Sequence, residues 1–216
     1  MEQTVNALER ILDAATEEFG RVGFDGAKVE AIARRAGVNK AGLYYHVGNK
    51  ERLYEAVLLR LFGEVAATLE QAIPEQADPT QGFAALTTAL AGLFGRLPML
   101  PRIMAMEMAS GGAHMPDAAM IEFRRIFGVT RALLERGQTA GVLRPAEPIF
   151  VHLTLVGTLV VYCLSEPLRR RFAAAARDLG FAADLPVAEA AAFLAGIVGR
   201  GLAVAPQTEE AHRETA

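Results

Sequence analysis

Between Val29 and Val47 two short apolar stripes flank a tight turn, a pattern that leaves this stretch few ways to fold. Val29, Ile32, Ala33 and Ala36 recur at helical spacing and stop at Gly37, a residue suited to a left-handed helix end. Asn39 is placed to cap a second short helix, Lys40 to Val47, whose Leu43 and Val47 repeat on one face. Ala33 and Gly37 are small enough for two helices to cross closely, and Val38 supplies an apolar plug in the turn. This is the pattern of a helix-turn-helix, whose second helix offers its outer face to a DNA major groove. At about 100° per residue, Ala41, Gly42 and Tyr45 point away from the inner pair, with Lys40, Tyr44 and His46 flanking. Gly42 costs an isolated helix about 1 kcal/mol relative to alanine, and Lys40 sits where the macrodipole disfavours a cation. Both choices suit a surface that meets DNA, because the charge attracts phosphate and the glycine permits close approach.

Around this motif the pattern is helical. Asn6 and Glu9 have the spacing of a capping box, and Leu8, Ile11, Leu12, Ala15 and Phe19 then predict a first helix running to about Arg21, broken by Gly23 and Gly26. Asn49 is placed to cap a fourth helix entered at Lys50. Beyond it, prolines and glycines such as Pro79, Pro98, Gly111-Gly112, Pro148 and Pro186 separate about six further helical segments. No alternating strand pattern of useful length is present, so the fold class is all-α.

The net charge of −3 argues against a nucleic-acid binder only as an average. From Lys28 to Arg52 six lysines and arginines face two glutamates, and phosphate attraction needs only such a local patch. An apolar fraction of 52% against 22% charged residues is enough to offset ordering entropy, so the chain folds. The N-terminus lacks the basic and apolar blocks of a secretory signal, and the longest apolar stretch, Ile149 to Leu164, falls short of the roughly 20 residues a membrane span needs. The expectation is a cytoplasmic protein without a membrane partner. Cys163 is the only cysteine, so no intrachain disulfide can form, and its apolar surroundings mark it as a core residue.

The stretch from Arg10 to Leu53 closely resembles the N-terminal domain of the TetR family of regulators. The resemblance rests on Ile11, Ala14-Ala15, Phe19, Gly23-Phe24, Ile32-Ala33, Ala36-Gly37-Val38, Leu43-Tyr44-Tyr45-His46 and Lys50-Glu51. It implies an N-terminal three-helix helix-turn-helix DNA-binding domain over residues 1–50, a C-terminal helical ligand-binding and dimerisation domain over 51–206, and a polar tail at 207–216. It also implies a homodimeric repressor, released from a palindromic operator of double-stranded DNA when a small-molecule effector binds. By position, Lys40, Ala41, Gly42 and Tyr44 fall where such proteins contact base edges, and Tyr45, His46 and Lys50 fall at phosphates. Lys50 also begins a helix, where free backbone N–H groups already favour a phosphate. Lys28 replaces the usual serine or threonine cap of the second helix, which forgoes a capping bond worth about 1 kcal/mol and offers a further phosphate contact. Val47 stands where phenylalanine is commoner.

In the C-terminal part, aromatic and methionine stripes are candidates for an adaptable apolar site: Phe94, Met104, Met108, Phe123 and Phe127, with Glu107, His114 and His152 as polar anchors. The same periodicity also serves ordinary core packing. The spacing of these groups matches no regular metal site, and neither a metal nor a cofactor is expected. For dimerisation, Gly157, Ala192 and Gly196 are small residues that let helices approach, with Val161, Phe193 and Ile197 as the knobs between them. No nucleophile elbow, phosphate loop or metal quartet appears, so an enzyme is not expected. An architectural DNA binder without an effector is the other reading, and it predicts a body with no ligand-sized cavity.

Overall fold

The computed structural model describes residues 2–73, 78–180 and 182–204, and all the regular elements among them are helices. Three of these form the head: α1 (Glu2–Gly26), α2 (Val29–Ala36) and α3 (Lys40–Val47). The helix α4 (Lys50–Ala72) leads into the body, built from α5 (Pro79–Arg96), α6 (Leu100–Ala109), α7 (Ala119–Thr139) and α8 (Pro148–Leu164). Two short helices, α9 (Glu166–Arg171) and α10 (Ala173–Asp178), lead to α11 (Val187–Leu202). In the body α11 lies along α5 and α4 along α7, while α8 packs on both α7 and α11.

The head takes the expected form for local reasons. Gly37 ends α2 at φ 69°, the left-handed conformation for which glycine pays no steric penalty. Arg10 reaches from α1 to the Ala36 carbonyl at 3.1 Å, tying down the same helix end. Asn39 accepts from the Gly42 N–H at 2.7 Å to start α3, and Asn49 accepts from the Arg52 N–H at 2.8 Å to start α4. Lys28 occupies the cap position of α2 and makes no side-chain capping bond. Leu43 is fully buried, whereas Val47 is only half-buried against the same core.

The first helix differs from expectation at its start. It starts at Glu2, so Asn6 lies within it rather than at its cap, and a regular turn already precedes the proposed capping box. At the other end it breaks at Gly23, where φ is 74°, and ends at Gly26, the two glycines that the sequence marks as its breaks. The segment after Pro167 is exposed along α9, with Arg169 folding back onto the body. Its guanidinium lies 3.8 Å from the Tyr162 ring centre and donates to the Ala183 carbonyl at 3.1 Å. The polar tail at 207–216, including His212, lies outside the described residues. A single antiparallel bridge, Leu143 to Ala203, is the β pairing among those described, and it fastens the α7–α8 loop to the end of α11.

Head and body meet where α6 docks on α1. A Cβ at Gly20 would lie 2.7 Å from the Met99 Cβ, so the helices approach only because the residue is glycine. Met106 reaches the same surface three residues on, 3.4 Å from where a Cβ would stand at Gly23. Gly20→Ala is therefore expected to lower stability by about 1–2 kcal/mol despite its better helix propensity, because overpacking outweighs the propensity gain. Gly128→Ala in α7, where a Cβ meets nothing within 4 Å, is expected to be neutral or to stabilise by up to about 1 kcal/mol. Urea unfolding midpoints of the two variants check this, and a Gly20→Ala protein as stable as wild type contradicts the close approach.

Candidate nucleic-acid interface and internal cavity

The outer face of α3 is open. Lys40 and Ala41 are exposed, Gly42 is half-exposed, and Tyr45 projects with 85% of its surface accessible. Tyr45 and His46 stand edge to face at 5.5 Å between ring centres. Tyr44 is half-buried and packs partly on the head core. Lys28 is exposed just before α2. A large aromatic presented this fully to water gains nothing from folding.

Two of the lysines are already engaged. Lys40 Nζ bonds Glu30 Oε1 of α2 at 2.6 Å, and it lies 5.8 Å from the Tyr44 ring centre. The hydrogen bond holds each partner in its charged form, with the Glu30 carboxyl below its usual range and the Lys40 ammonium above. Lys50, at the start of α4, lies 4.6 Å from the Phe24 ring centre and 3.4 Å from the Asp25 carbonyl. Glu30 carried no signal in the sequence beyond an acid in the first turn of a helix, yet it sets where the Lys40 charge rests.

Behind this face lies a joint that sequence reasoning missed. Tyr54 of α4 donates to Glu107 Oε1 of α6 at 2.7 Å, and both side chains are buried. Burial and the carboxylate push the Tyr54 phenol up, so it remains a donor at any ordinary pH. His114, in the turn after α6, stacks on Phe24 of α1 at 4.4 Å. Its ring nitrogens lie 3.5 Å from Asp25 Oδ1 and 3.5 Å from Glu107 Oε1. Phe19, Phe24 and Tyr54 complete the cluster. Glu107 and His114, expected as pocket anchors, thus stand at the junction of head and body. The signal for Tyr54 was a polar group within the apolar stripe of α4.

The other candidate effector residues divide. Phe94, Met104, Phe123 and His152 come together around a cavity of about 60 Å³, also lined by Phe62 and Val65 of α4. Phe127 stands beside it with its ring 5.5 Å from that of His152. Met108 does not join them and is 68% exposed. Met99 and Met106 are spent on the α1 contact. His152 is buried and shares a 3.0 Å hydrogen bond with Thr130 of α7, a partner that sequence gave no reason to single out. Burial depresses the imidazole to about 4. Cys163 is half-buried, and burial likewise pushes its thiol up, away from the reactive thiolate.

On α8 and α11, Val161, Phe193 and Ile197 are exposed, with Gly157 and Gly196 half-buried and Ala192 exposed between them. Phe150 and Leu153 extend the same kind of surface along α8.

Residues 11–57 match the model of the bacterial regulatory proteins of the tetR family. The chain belongs to the TetR family. Over 145 residues it is 28% identical to the HTH-type transcriptional repressor NicS of Pseudomonas putida, covering 66% of this chain and 68% of that protein. It is 30% identical over 138 residues to the HTH-type transcriptional regulator RutR of Escherichia coli, covering 64% of this chain and 65% of that one. The matched stretch thus spans about two thirds of the length of these curated relatives. The fold is shared with the transcriptional regulator FadR of Bacillus subtilis, solved with stearoyl-CoA, at a TM-score of 0.69 and 16% identity, covering 90% of this chain and 98% of that one. As a TetR-family member the chain is a transcriptional regulator rather than an enzyme. No single helix among its described residues is long and apolar enough to cross a membrane.

The buried His152 makes this TetR-family protein sensitive to acid. Its folded pKa, about 4, lies below the 6.5 of the free side chain, so the unfolded chain takes up the proton first as pH falls. The stability that depends on neutral His152 is therefore whole above pH 6.5 and lost as pH falls towards 4, a change of about 3 kcal/mol. Urea unfolding across that range is expected to show the loss in wild type and not in His152→Phe. Equal slopes for the two proteins contradict the burial of a neutral imidazole.

Proposed function

We propose that this protein is a homodimeric repressor that binds a palindromic operator through α3 and is released when a small apolar effector enters the body. The observation that carries the reading is the open α3 face, where Lys40, Ala41 and Tyr45 project from a helix held in helix-turn-helix geometry. Lys40, Ala41, Gly42 and Tyr44 are assigned to base edges, and Lys28, Tyr45, His46 and Lys50 to phosphates. The exposed apolar surface around Val161, Phe193 and Ile197, with its intervening small residues, supports pairing of α8 and α11 with a second copy.

The cavity supports an effector that acts through geometry. Phe62 and Val65 on one side and Met104 on another belong to α4 and α6, whose near ends carry Tyr54 and Glu107 at the joint. At about 60 Å³ the cavity is far below the roughly 300 Å³ or more of an ordinary ligand site, so an occupant must part these helices. An occupant that binds the parted state better shifts the head, and two recognition helices that must enter successive major grooves about 34 Å apart lose contacts in both half-sites. The FadR structure, solved with stearoyl-CoA, supports the idea that this fold can hold a ligand that carries a long apolar chain. The small size of this cavity favours a second reading, an architectural binder with no effector, whereas a separate cleft of about 540 Å³ in the body, lined by Phe94, Arg102, Tyr162 and Arg169, speaks against it.

Operator titrations separate the two readings. Reciprocity requires that operator weaken ligand binding by the same factor by which ligand weakens operator binding. Equal ligand affinity with and without operator, or no ligand at all, leaves the architectural reading. For the DNA contacts, Lys50→Ala is expected to weaken specific and nonspecific binding alike and to reduce the salt slope by roughly 1 to 2 units per dimer. Glu30→Gln is expected to tighten DNA binding by roughly two- to fivefold per half-site at low salt, because it frees Lys40 and removes a like charge from the phosphates. Fluorescence anisotropy against salt measures both, and an unchanged affinity for Glu30→Gln takes Lys40 off the contact surface.

A further inference from the structure

Every side chain lining the cavity is apolar except His152. A leucine there would avoid the cost of burying a polar ring, so the imidazole calls for an explanation. Its position is tightly defined. The ring stands nearly perpendicular to those of Phe123 and Phe127, at 86° and 81°. Its Nδ1 lies 3.0 Å from the Thr130 hydroxyl oxygen.

That bond decides which nitrogen carries the proton. Thr130 is fully buried, and its hydroxyl has His152 as its one hydrogen-bond partner among the described residues. If Nδ1 carried the proton and donated it, the hydroxyl hydrogen would be left buried with no acceptor, at a cost of roughly 1–3 kcal/mol. If the hydroxyl donates to a bare Nδ1, the threonine is satisfied and the single ring proton sits on Nε2. Nε2 has no protein acceptor among the described residues, and the ring lines the cavity.

We propose that His152 presents one N–H donor to the cavity and thereby selects an uncharged effector with a hydrogen-bond acceptor, such as a ketone, ester or lactone carbonyl, on an apolar body. This rests on the reading of the cavity as the effector site and names the class of molecule it takes. An anionic ligand is disfavoured because no lysine or arginine lines the wall. The imidazole does not supply the missing charge, since burial keeps it neutral. An alcohol can accept from Nε2 but leaves its own hydrogen unpartnered against hydrocarbon.

The tautomer is read directly on the intact, isotope-labelled protein from long-range proton–nitrogen correlations of the His152 ring. The expected result is a protonated Nε2 and a bare Nδ1, and the opposite assignment overturns the proposal without any mutation. Selectivity is then tested with cyclopentanone and methylenecyclopentane, which share a shape and differ in the acceptor. His152→Phe is expected to weaken cyclopentanone binding roughly three- to tenfold while leaving methylenecyclopentane unchanged or tighter. His152→Gln, which keeps an N–H donor, is expected to restore part of the loss. Parallel changes for both probes overturn the selectivity and leave the cavity as a binding site. If neither probe perturbs the ring signals of the wild-type protein, the effector-site reading falls and the proposal with it.

Discussion

The buried hydrogen bond from Tyr54 to Glu107 is the constraint around which the rest of the molecule is arranged. A carboxylate removed from water must find donors, and here it draws in a phenol from α4, the backbone N–H of His114 at 3.4 Å and the His114 ring. Those partners come from α4 and from the turn after α6, and through His114 the cluster reaches Phe24 and Asp25 at the end of α1. The close seat of Met99 on Gly20 brings α6 to the same place by packing alone. Head orientation and body packing are therefore coupled by contacts that cannot be loosened singly without leaving a buried charge short of donors.

Much of the head was legible in the sequence because its determinants are local. Gly37, Asn39 and Asn49 act within four residues of themselves, and each ends or starts the helix that its chemistry suggests. The first helix shows the limit of that logic, since a capping-box spacing at Asn6 also fits the interior of a longer helix. The candidate site was legible only in part. Phe94, Met104, Phe123 and His152 converge, whereas Glu107 and His114 lie at the joint and Met108 faces solvent. Helical periodicity says which residues turn inward but not which neighbouring helix they meet, and that is settled by contacts between residues far apart in the chain. Thr130 and Tyr54 illustrate the same gap, as each matters through a partner 22 and 53 residues away.

The charge distribution is consistent with a protein that binds DNA reversibly. The whole chain is mildly acidic, and the basic residues near α3 are partly answered by its own carboxylates, as Lys40 is by Glu30. A DNA contact must then displace an internal ion pair, which trims affinity without altering the donors that read bases. Surface ion pairs of this kind are weak, so the trim is modest and salt-dependent.

The small size of the cavity carries a consequence for timing. With so little free space between α4, α6, α7 and α8, a molecule can enter only in the moments when these helices separate. Entry is then limited by how often the body opens rather than by diffusion, and departure waits on the same event. On the proposed reading the regulator would respond sluggishly to brief pulses of its effector and hold its state after the pulse has passed, so that it averages the signal over time. That filtering would follow from the packing of a few side chains, Met104 and Phe123 foremost, and could be retuned by their size without touching the DNA-reading surface.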